Sequence, residues 1–299
     1  MKRILALTAI CMFGPQCLTA EEEVQSLWHY HPLHVGGQII RMGKADCHNE
    51  HPEHQTYLGN LHYRKSNVFL SMLTPINRHN IFIPQIQFNY VTFDWNKNQK
   101  FNETHFYYMT FDLVYYATWL ERWRWIMRFD YNLQTEHLSH PGQYSLYNGL
   151  MWGSYELNSN WHYHVGALGY VGLKGYNIYP IFGLDYTPSK SWFFQAVFPI
   201  NYSAEYKIGD WTVAAKIRPL KERLRTGSRE PQPRSIFSYS SLGSEVNIRY
   251  ERQLKLVLEG YVGYNLGGSF YIKNAHGKHA QYVDVNGALY WGLNLDYGF

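Results

Sequence analysis

Apolar and polar positions alternate through the last seventeen residues of the chain. Every second position from Val283 to Phe299 is apolar, aromatic or glycine, whereas the positions between, from Asp284 to Gly298, are mostly polar or small. A period of two residues is typical of a β-strand whose faces meet different surroundings. Strands of soluble domains usually have about 5–6 residues, but a strand that crosses a bilayer needs roughly 9–11. The pattern therefore predicts a membrane-spanning strand.

The register of this final strand divides its side chains into two sets. The set expected to face lipid is Leu289, Trp291, Leu293, Leu295, Tyr297 and Phe299, and the set expected to face an interior is Asp284, Asn286, Tyr290, Asn294 and Asp296.

The same rhythm recurs from Tyr57 onward and is clearest in 123–134, where Trp, Phe and Tyr alternate with Arg and Asp. Such a strand fits a wall between lipid and water. The chain is therefore predicted to be all-β, a closed antiparallel transmembrane β-barrel of about 12 strands, with 10 to 14 possible. The count depends on whether 192–206 is one strand or two.

The first residues are predicted to be a secretory signal peptide, residues 1–20, with Lys2 and Arg3 before a short apolar run. Residues 21–55 are expected to be an irregular, His-rich segment, and residues 56–299 the barrel. This organisation predicts export to the bacterial outer membrane.

Composition supports the barrel and excludes other classes. Aromatic residues make up 18% of the chain, as expected for aromatic girdles. Mean hydropathy is −0.39, and no apolar run approaches the roughly 20 residues of a transmembrane helix. Net charge is only +4, which does not indicate a nucleic-acid partner.

The C-terminal residues 293–299 end in Phe, with apolar side chains at alternate positions before it. This segment resembles the C-terminal signal of Gram-negative outer-membrane proteins. The Tyr-rich strands, with Phe198-Pro199 and Tyr186-Thr187-Pro188, are similar to an uncharacterised outer-membrane barrel family of unknown function and chlamydia-like source. The resemblance implies two partners, outer-membrane lipid and the barrel-assembly machinery, the latter acting through the last strand.

Charges of both signs on the predicted interior faces favour a pore or transporter for small polar solutes. The alternative is that these charges pair and fill a closed barrel, which would be a non-conducting surface or structural protein such as an adhesin or envelope component. The candidate lumen-lining residues are Arg122, Arg124, Arg128, Asp130, Glu245, Arg249, Lys255, Glu259, Asp284 and Asn294.

Two further chemistries have candidate residues in the sequence. A lipid hydrolase is the less favoured reading, since His137, Ser139 and His140 share a loop but lack the motif of the barrel phospholipases. A basic connection at 219–234 is a candidate surface for anionic glycans or lipid phosphates.

His48, His51 and His54 lie near Cys47 with spacing that offers ligands for Zn²⁺ or Cu²⁺. Pro52 interrupts the cluster, and weak, adventitious binding is the simpler interpretation. No catalytic residue, metal site or cofactor is assigned, and the oligomeric state stays open.

Overall fold

The structure is a computed structural model that describes residues 32–49, 57–97, 102–137, 140–252 and 255–299. The described chain is built almost entirely of antiparallel strands. The strands are β1 Leu33–Asn49, β2 Tyr57–Met72, β3 Thr74–Asn77, β4 Asn80–Trp95, β5 His105–Ala117, β6 Trp123–Gln134, β7 Ser145–Asn158, β8 Trp161–Gly172, β9 Gly175–Tyr186, β10 Trp192–Phe198, β11 Asn201–Ile208, β12 Trp211–Arg225, β13 Ile236–Arg252, β14 Leu256–Lys273, β15 Gln281–Val285 and β16 Ala288–Gly298. Two short 3₁₀ helices lie at Thr135–His137 and Pro141–Gln143, and no helix in the described ranges is long and apolar enough to span a membrane.

The sheet closes on itself. β1 pairs with β2 on one side and with β15 and β16 on the other, so that Ile39 stands opposite both Ser66 and Leu293. β3 continues the path of β2, and β15 and β16 are two parts of one strand. The sixteen segments therefore form a fourteen-stranded barrel, which confirms the predicted all-β barrel at the upper limit of the range.

The two strands beyond the expected twelve come from two stretches. β1 lies inside the 21–55 segment that was expected to be irregular, because a register shift between Met42 and Ala45 breaks its alternation. The stretch 192–206 divides into β10 and β11 at Pro199 and Ile200. The barrel therefore begins at Leu33 rather than near residue 56, and the expected signal peptide lies outside the described residues.

The two ends of the barrel differ. Connections at the end that holds Leu33 and Phe299, here called the terminal end, are mostly tight turns such as 159–160 and 209–210. The opposite end, here called the loop end, carries longer connections at 96–104, 135–144, 226–235 and 274–280. Bacterial barrels have short periplasmic turns and long extracellular loops, so the loop end faces outward.

The outer surface has the pattern of a membrane protein. Apolar side chains such as Ile248, Val262 and Leu293 are 50% or more exposed at mid-barrel. Aromatic pairs flank this band at both ends, as expected for interfacial girdles. Near the terminal end the ring centroids are 4.3 Å apart in Trp161–Tyr186 and 4.8 Å in Trp192–Tyr206, and near the loop end they are 4.9 Å apart in Tyr90–Tyr107.

The final strand changes phase partway along. From Leu289 to the C-terminus the predicted register is confirmed. Val283 and Val285 point inward instead, and Asp284 and Asn286 point outward. The reason is an irregularity in the pairing with β14. Residues 286–287 have no register partners in β14, and neither do residues 266–267 opposite them, where Gly267 adopts a φ of 102°. β1 shifts at the same level, between Met42 and Ala45.

The wall is not of equal height all round. β12, β13 and β14 have 15, 17 and 18 residues, whereas β10 and β11 have only 7 and 8. The pairing of β11 with β12 ends at Tyr202–Ile217, so β12 continues from Arg218 to Arg225 with β13 as its only strand neighbour among the described residues. The upper parts of β12 and β13 are here called the tall hairpin.

Candidate functional site

The lumen wall formed by β11 to β14 carries a network of buried ion pairs. Arg218 binds Glu245 with both ends of its guanidinium, and the Nε and Nη2 atoms lie 2.8 Å from the two carboxylate oxygens. Lys216 Nζ lies 3.6 Å from carboxylate oxygens of both Glu205 and Glu259. Four neighbouring strands, β11 to β14, thus contribute charges of opposite sign to one interior surface.

Neutral donors complete the coordination of the carboxylates. Asn294 Nδ2 and Asn247 Nδ2 donate to Glu259 at 2.7 and 2.6 Å, and Tyr290 OH donates to Glu245 at 2.9 Å. Hydrogen bonds to a buried carboxylate offset its loss of hydration. β16 is tied to the network through Asn294 and Tyr290.

A second polar group lies on β5 and β6. Arg128 Nη2 lies 2.6 Å from Asp112 Oδ2, and Arg128 Nε lies 2.8 Å from Asp130 Oδ1. A chain of neutral hydrogen bonds continues from Asn132 through Thr110 to Asn89. The Arg128 side chain keeps 30% of its surface exposed, so this part of the interior is open enough for water.

Seven of the ten predicted lumen residues face the interior, and all of their charges except that of Arg124 belong to the two groups above. These seven are Arg124, Arg128, Asp130, Glu245, Arg249, Glu259 and Asn294. Arg124 stands apart from both groups and pairs with Glu156 near the terminal end.

Three predicted lumen residues lie elsewhere. Arg122 and Lys255 are exposed in terminal-end turns, because the strands begin one residue after each. Asp284 is exposed on the outer face, because the phase change at 286–287 reverses the strand above it. These three assignments were wrong.

An aromatic cluster crosses the lumen at the loop end. Phe93 on β4 lies 5.3 Å from Phe237 on β13 and 5.2 Å from Phe270 on β14, measured between ring centroids. Tyr63 and Tyr239 lie 5.6 Å apart in the same way. β4 and β13 are not neighbours in the sheet, so these contacts cross the interior. These five rings are here called the aromatic plug.

Glu222 anchors the tall hairpin beneath the plug. Its Oε1 atom accepts from Lys65 Nζ at 2.7 Å and from Tyr63 OH at 3.0 Å, across the lumen on β2. Leu220 and Leu224, on the same face of β12, pack into the apolar cluster around the plug. Since all three share one face, the hairpin turns that face toward β2, β4 and β5.

The opposite face of the tall hairpin meets β8 and β9. Arg223 Nη1 donates to Tyr170 OH at 3.1 Å, and Arg223 Nη2 donates to Leu173 O at 3.0 Å. Lys221 Nζ lies 5.4 Å from the centroid of the Tyr179 ring. Tyr170 and Tyr179 belong to the lumen-facing sets of their strands, so β12 bends over the lumen above Ile217.

Sequence reasoning missed several of these residues. Lys216 and Arg218 alternate with apolar positions at a period of two, whereas Glu222 lies between Lys221 and Arg223, so that the sequence after Pro219 resembles a basic loop. The strand continues to Arg225 because Pro219 and the charged residues after it still pair with β13. Carrying the alternation through Pro219 would have placed Glu222 on the inner face.

The hydrolase and metal candidates gain no defined site. Ser139, His51 and His54 lie outside the described residues, and the His140 side chain is exposed. Across the described ranges, no group of three or more His, Cys, Asp or Glu side chains is placed to hold a metal ion.

Three carboxylates from different loops meet at the loop end. Gly227 N donates to Glu103 Oε2 at 2.7 Å, and Asn102 N donates to Glu230. Burial, together with the nearby carboxylates of Glu136 and Glu230, raises the pKa of Glu103 to about 8, although the hydrogen bond from Gly227 opposes the rise.

The chain is similar to uncharacterised chlamydial proteins. It is 22% identical to one from Chlamydia trachomatis over 256 residues, which cover 80% of both proteins. It is 21% identical to one from Chlamydia pneumoniae over 183 residues, 60% of this chain and 57% of that protein. The resemblance to a chlamydia-like family is thereby confirmed, whereas no family model matches the chain.

Solved structures with partial likeness are outer-membrane proteins. An outer membrane channel from Pseudomonas putida F1 aligns over 91% of this chain and 98% of its own, with 10% identity and a TM-score of 0.47. The Pseudomonas putida toluene transporter TodX aligns over 93% and 92%, with 8% identity and a TM-score of 0.46.

The molecule's own features define its class. A closed antiparallel barrel, an apolar outer band between aromatic girdles and a charged interior together characterise an outer-membrane β-barrel. Its strands position two luminal charge groups below an aromatic plug.

Proposed function

We propose that this protein is an outer-membrane transporter for small polar solutes, described here in a closed state. The observation that carries the proposal is the luminal network of Lys216, Arg218, Glu205, Glu245 and Glu259. A barrel with an apolar core would need no such charges, and burying charged side chains costs desolvation free energy. Facing charges of opposite sign are a means of selecting polar solutes.

The aromatic plug supports a closed state. Phe93, Phe237 and Phe270 are fully buried, and Tyr63 and Tyr239 nearly so. A polar solute cannot cross this layer without displacing the rings, because an apolar constriction excludes water. Transport therefore requires the plug to open.

The tall hairpin is the element that can open it. The hairpin carries Phe237 and Tyr239, yet above Ile217 its β12 edge is held to the far wall by side chains of Gln134, Tyr170 and Tyr179 and not by a strand ladder. A few side-chain contacts separate more readily than a continuous ladder of backbone hydrogen bonds. Phe237 and Tyr239 would then move away from the other three rings of the plug with the hairpin.

Single-channel recording in planar bilayers tests this proposal. Wild-type protein is expected to show rare openings under applied voltage. The double variant Phe93→Ala with Tyr239→Ala should open more often, because it removes two rings of the plug. Glu245→Gln should shift the reversal potential in a salt gradient, since it removes a negative charge from the permeation wall.

Leu293→Ala on the lipid face is the matched control and should leave conductance and reversal potential unchanged. If neither the wild-type protein nor the plug variant showed conductance at any voltage, a transport role would be contradicted. A reversal potential indifferent to Glu245→Gln would show that current does not pass the luminal network.

A second candidate is a non-conducting surface or structural protein. Cross-lumen packing of the plug and the buried Lys65–Glu222 pair favour it, because they fill the interior as a core would. Conductance in the plug variant but never in wild-type protein would support this role. Neither candidate makes the protein an enzyme.

The proposal also covers export and assembly. We infer cleavage of a signal peptide after Ala20 and recognition of the last strand by the barrel-assembly machinery. The mass of the mature N-terminus tests the first, and loss of membrane insertion on deletion of Phe299 tests the second.

A further inference from the structure

The luminal network has a tightly bonded part and a loosely bonded part. In the tight part, the guanidinium of Arg218 donates two hydrogen bonds of 2.8 Å to one carboxylate. In the loose part, Lys216 Nζ lies 3.6 Å from Glu205 Oε1 and 3.6 Å from Glu259 Oε1. Arg249 Nη2 likewise lies 3.6 Å from Glu205 Oε2. Direct N–H···O bonds measure about 2.7–3.2 Å, so these two cations stand near their carboxylates at more than hydrogen-bonding distance. Lys216, Arg249, Glu205 and Glu259 are here called the loose cluster.

Three buried polar atoms beside the loose cluster have no hydrogen-bond partner in the described part of the chain. Asn247 and Asn294 donate from Nδ2 to Glu259 at 2.6 and 2.7 Å, which fixes both amide orientations because a carboxylate only accepts. Their Oδ1 atoms therefore point away from Glu259, and both are buried without a donor. Arg249 Nε is buried without an acceptor. A buried polar atom without a partner is unfavourable, so the cluster can accept a molecule that offers both donors and acceptors.

A small residue lies at the centre of these groups. Ala214 on β12 stands opposite Glu205 on β11 and opposite Asn247 on β13. Lys216 follows two residues later, on the same face of β12. Ala214 is only 2% exposed, because the longer side chains around it extend over it. A solute can therefore enter this position by displacing flexible side chains, without any movement of the strands.

An apolar band crosses the opposite wall at the same height. β6 is seven strands from β13 in either direction around the fourteen-stranded barrel, so the two strands face each other across the lumen. Ile126 on β6 lies three residues from the terminal end of its strand, as do Arg249 on β13 and Glu259 on β14. Arg124 and Arg128 bound the band on β6. Its inner side chains, which follow one another in register and belong to one buried apolar cluster, are Ile81, Tyr116, Ile126 and Trp152.

We propose that the loose cluster binds a small α-amino acid with an apolar side chain. The proposal rests on the transport function proposed above and names the class of its solute. The ammonium group of the amino acid takes the position between Glu205 and Glu259 that Lys216 Nζ now holds. Its carboxylate pairs with the displaced Lys216 and with Arg249 Nε, and its side chain faces the apolar band. The amide oxygens of Asn247 and Asn294 supply further acceptors for the ammonium group.

Isothermal titration calorimetry of the purified, detergent-solubilised protein tests this site with matched probes. L-leucine carries all three groups, 4-methylpentanoate lacks the ammonium group, 3-methylbutylamine lacks the carboxylate and glycine lacks the side chain. L-leucine should bind about tenfold or more tightly than each of the other three, because each of them leaves buried groups without partners or the apolar band without contact. Equal binding of 3-methylbutylamine or 4-methylpentanoate would overturn the assignment to a zwitterion. Equal binding of glycine would overturn the role of the apolar band.

Variants locate the binding within the lumen. Lys216→Gln and Arg249→Gln should each weaken L-leucine binding about tenfold or more, because a charge-assisted hydrogen bond to its carboxylate is lost. Arg124→Gln removes a luminal cation outside the loose cluster and should bind L-leucine as the wild-type protein does. Heat-modified gel mobility establishes that each variant folds. Undiminished binding in both cluster variants would overturn the proposed site.

The binding result and the transport result can fail separately. If the wild-type protein did not bind L-leucine while the plug variant conducted ions, the amino-acid site would be overturned and the transport function would stand. If L-leucine bound with the expected preferences while no variant conducted at any voltage, the binding site would be supported and the transport function contradicted.

Discussion

The side chain of Gln134 pairs with the backbone of Arg225 as a neighbouring strand would. Arg225 N donates to Gln134 Oε1 at 2.9 Å, and Gln134 Nε2 donates to Arg225 O at 2.9 Å. β6 and β12 are far apart in the sheet, so one amide group holds the tip of the tall hairpin across the barrel mouth.

Gln134→Ala should loosen this tip. The change leaves two backbone groups of Arg225 without partners, and each lost partner in a buried position costs about 1–3 kcal/mol. Hydrogen exchange at the Arg225 amide should accelerate, while exchange at β16 amides stays slow. Gln281→Ala, at an exposed position, is the control. If exchange at the Arg225 amide accelerated equally in Gln281→Ala, a specific role of the Gln134 side chain would be contradicted.

Glu245→Gln should destabilise the barrel strongly. Breaking one partner of a buried ion pair costs about 3–5 kcal/mol, whereas replacing both by apolar groups is often neutral. Arg218→Met with Glu245→Met should therefore recover much of the loss. Urea-induced unfolding from lipid vesicles measures both, and a double variant as unstable as the single one would contradict a coupled pair.

The lipid register of β16 predicts unequal effects at neighbouring strands. Leu293→Arg, at a position 50% exposed to lipid, should cost about 2–4 kcal/mol near the midplane. Gln38→Arg, on the lumen side of β1 opposite Asn294, should be much milder. Refolding equilibria into vesicles compare the two, and similar losses would mean that the faces are misassigned.

Because the strand changes phase between β15 and β16, the side chains of β15 that the sequence pattern assigns to lipid face the interior. Val285→Asp should be severely destabilising, because it places an unpaired charge in the apolar cluster around the plug. Asp284→Ala should change stability little, since Asp284 is exposed. Thermal unfolding followed by gel mobility distinguishes them. If Val285→Asp were tolerated, Val285 would not face the interior, and the register expected from the sequence would be supported instead.

The Glu103 carboxyl makes docking of the outer loops depend on pH. Its pKa is raised from 4.5 to about 8, so the folded arrangement favours the protonated form. The contribution is complete below pH 4.5 and is lost as the pH rises through 8. The protection factor of the Gly227 amide, which corrects for the intrinsic pH dependence of exchange, should fall between pH 5 and pH 9, and Glu103→Gln should flatten the change. If the pH dependence were unaltered in Glu103→Gln, it would arise from the titration of another group.

The sequence predicts this fold well because a lipid face and a wet face impose strict alternation. The lower half of β16 and the clear pattern of β6 follow it throughout. Prediction failed where a strand changes phase, as at Asp284, since a one-residue irregularity reverses every later side chain. It also failed at Glu222, because charges after Pro219 resemble a loop until the pairing with β13 is known. No local pattern indicates that Phe93 meets Phe237, since the two lie on strands far apart in the sheet.

Because β10 and β11 are short, the barrel wall is low on one side and tall on the opposite side. A molecule that approaches from outside meets the tall strands β12 to β14 on one side and membrane-level turns on the other. The outer surface of the described barrel therefore has no rotational symmetry about the barrel axis. Copies packed in the same membrane will present either their low or their high side to each other.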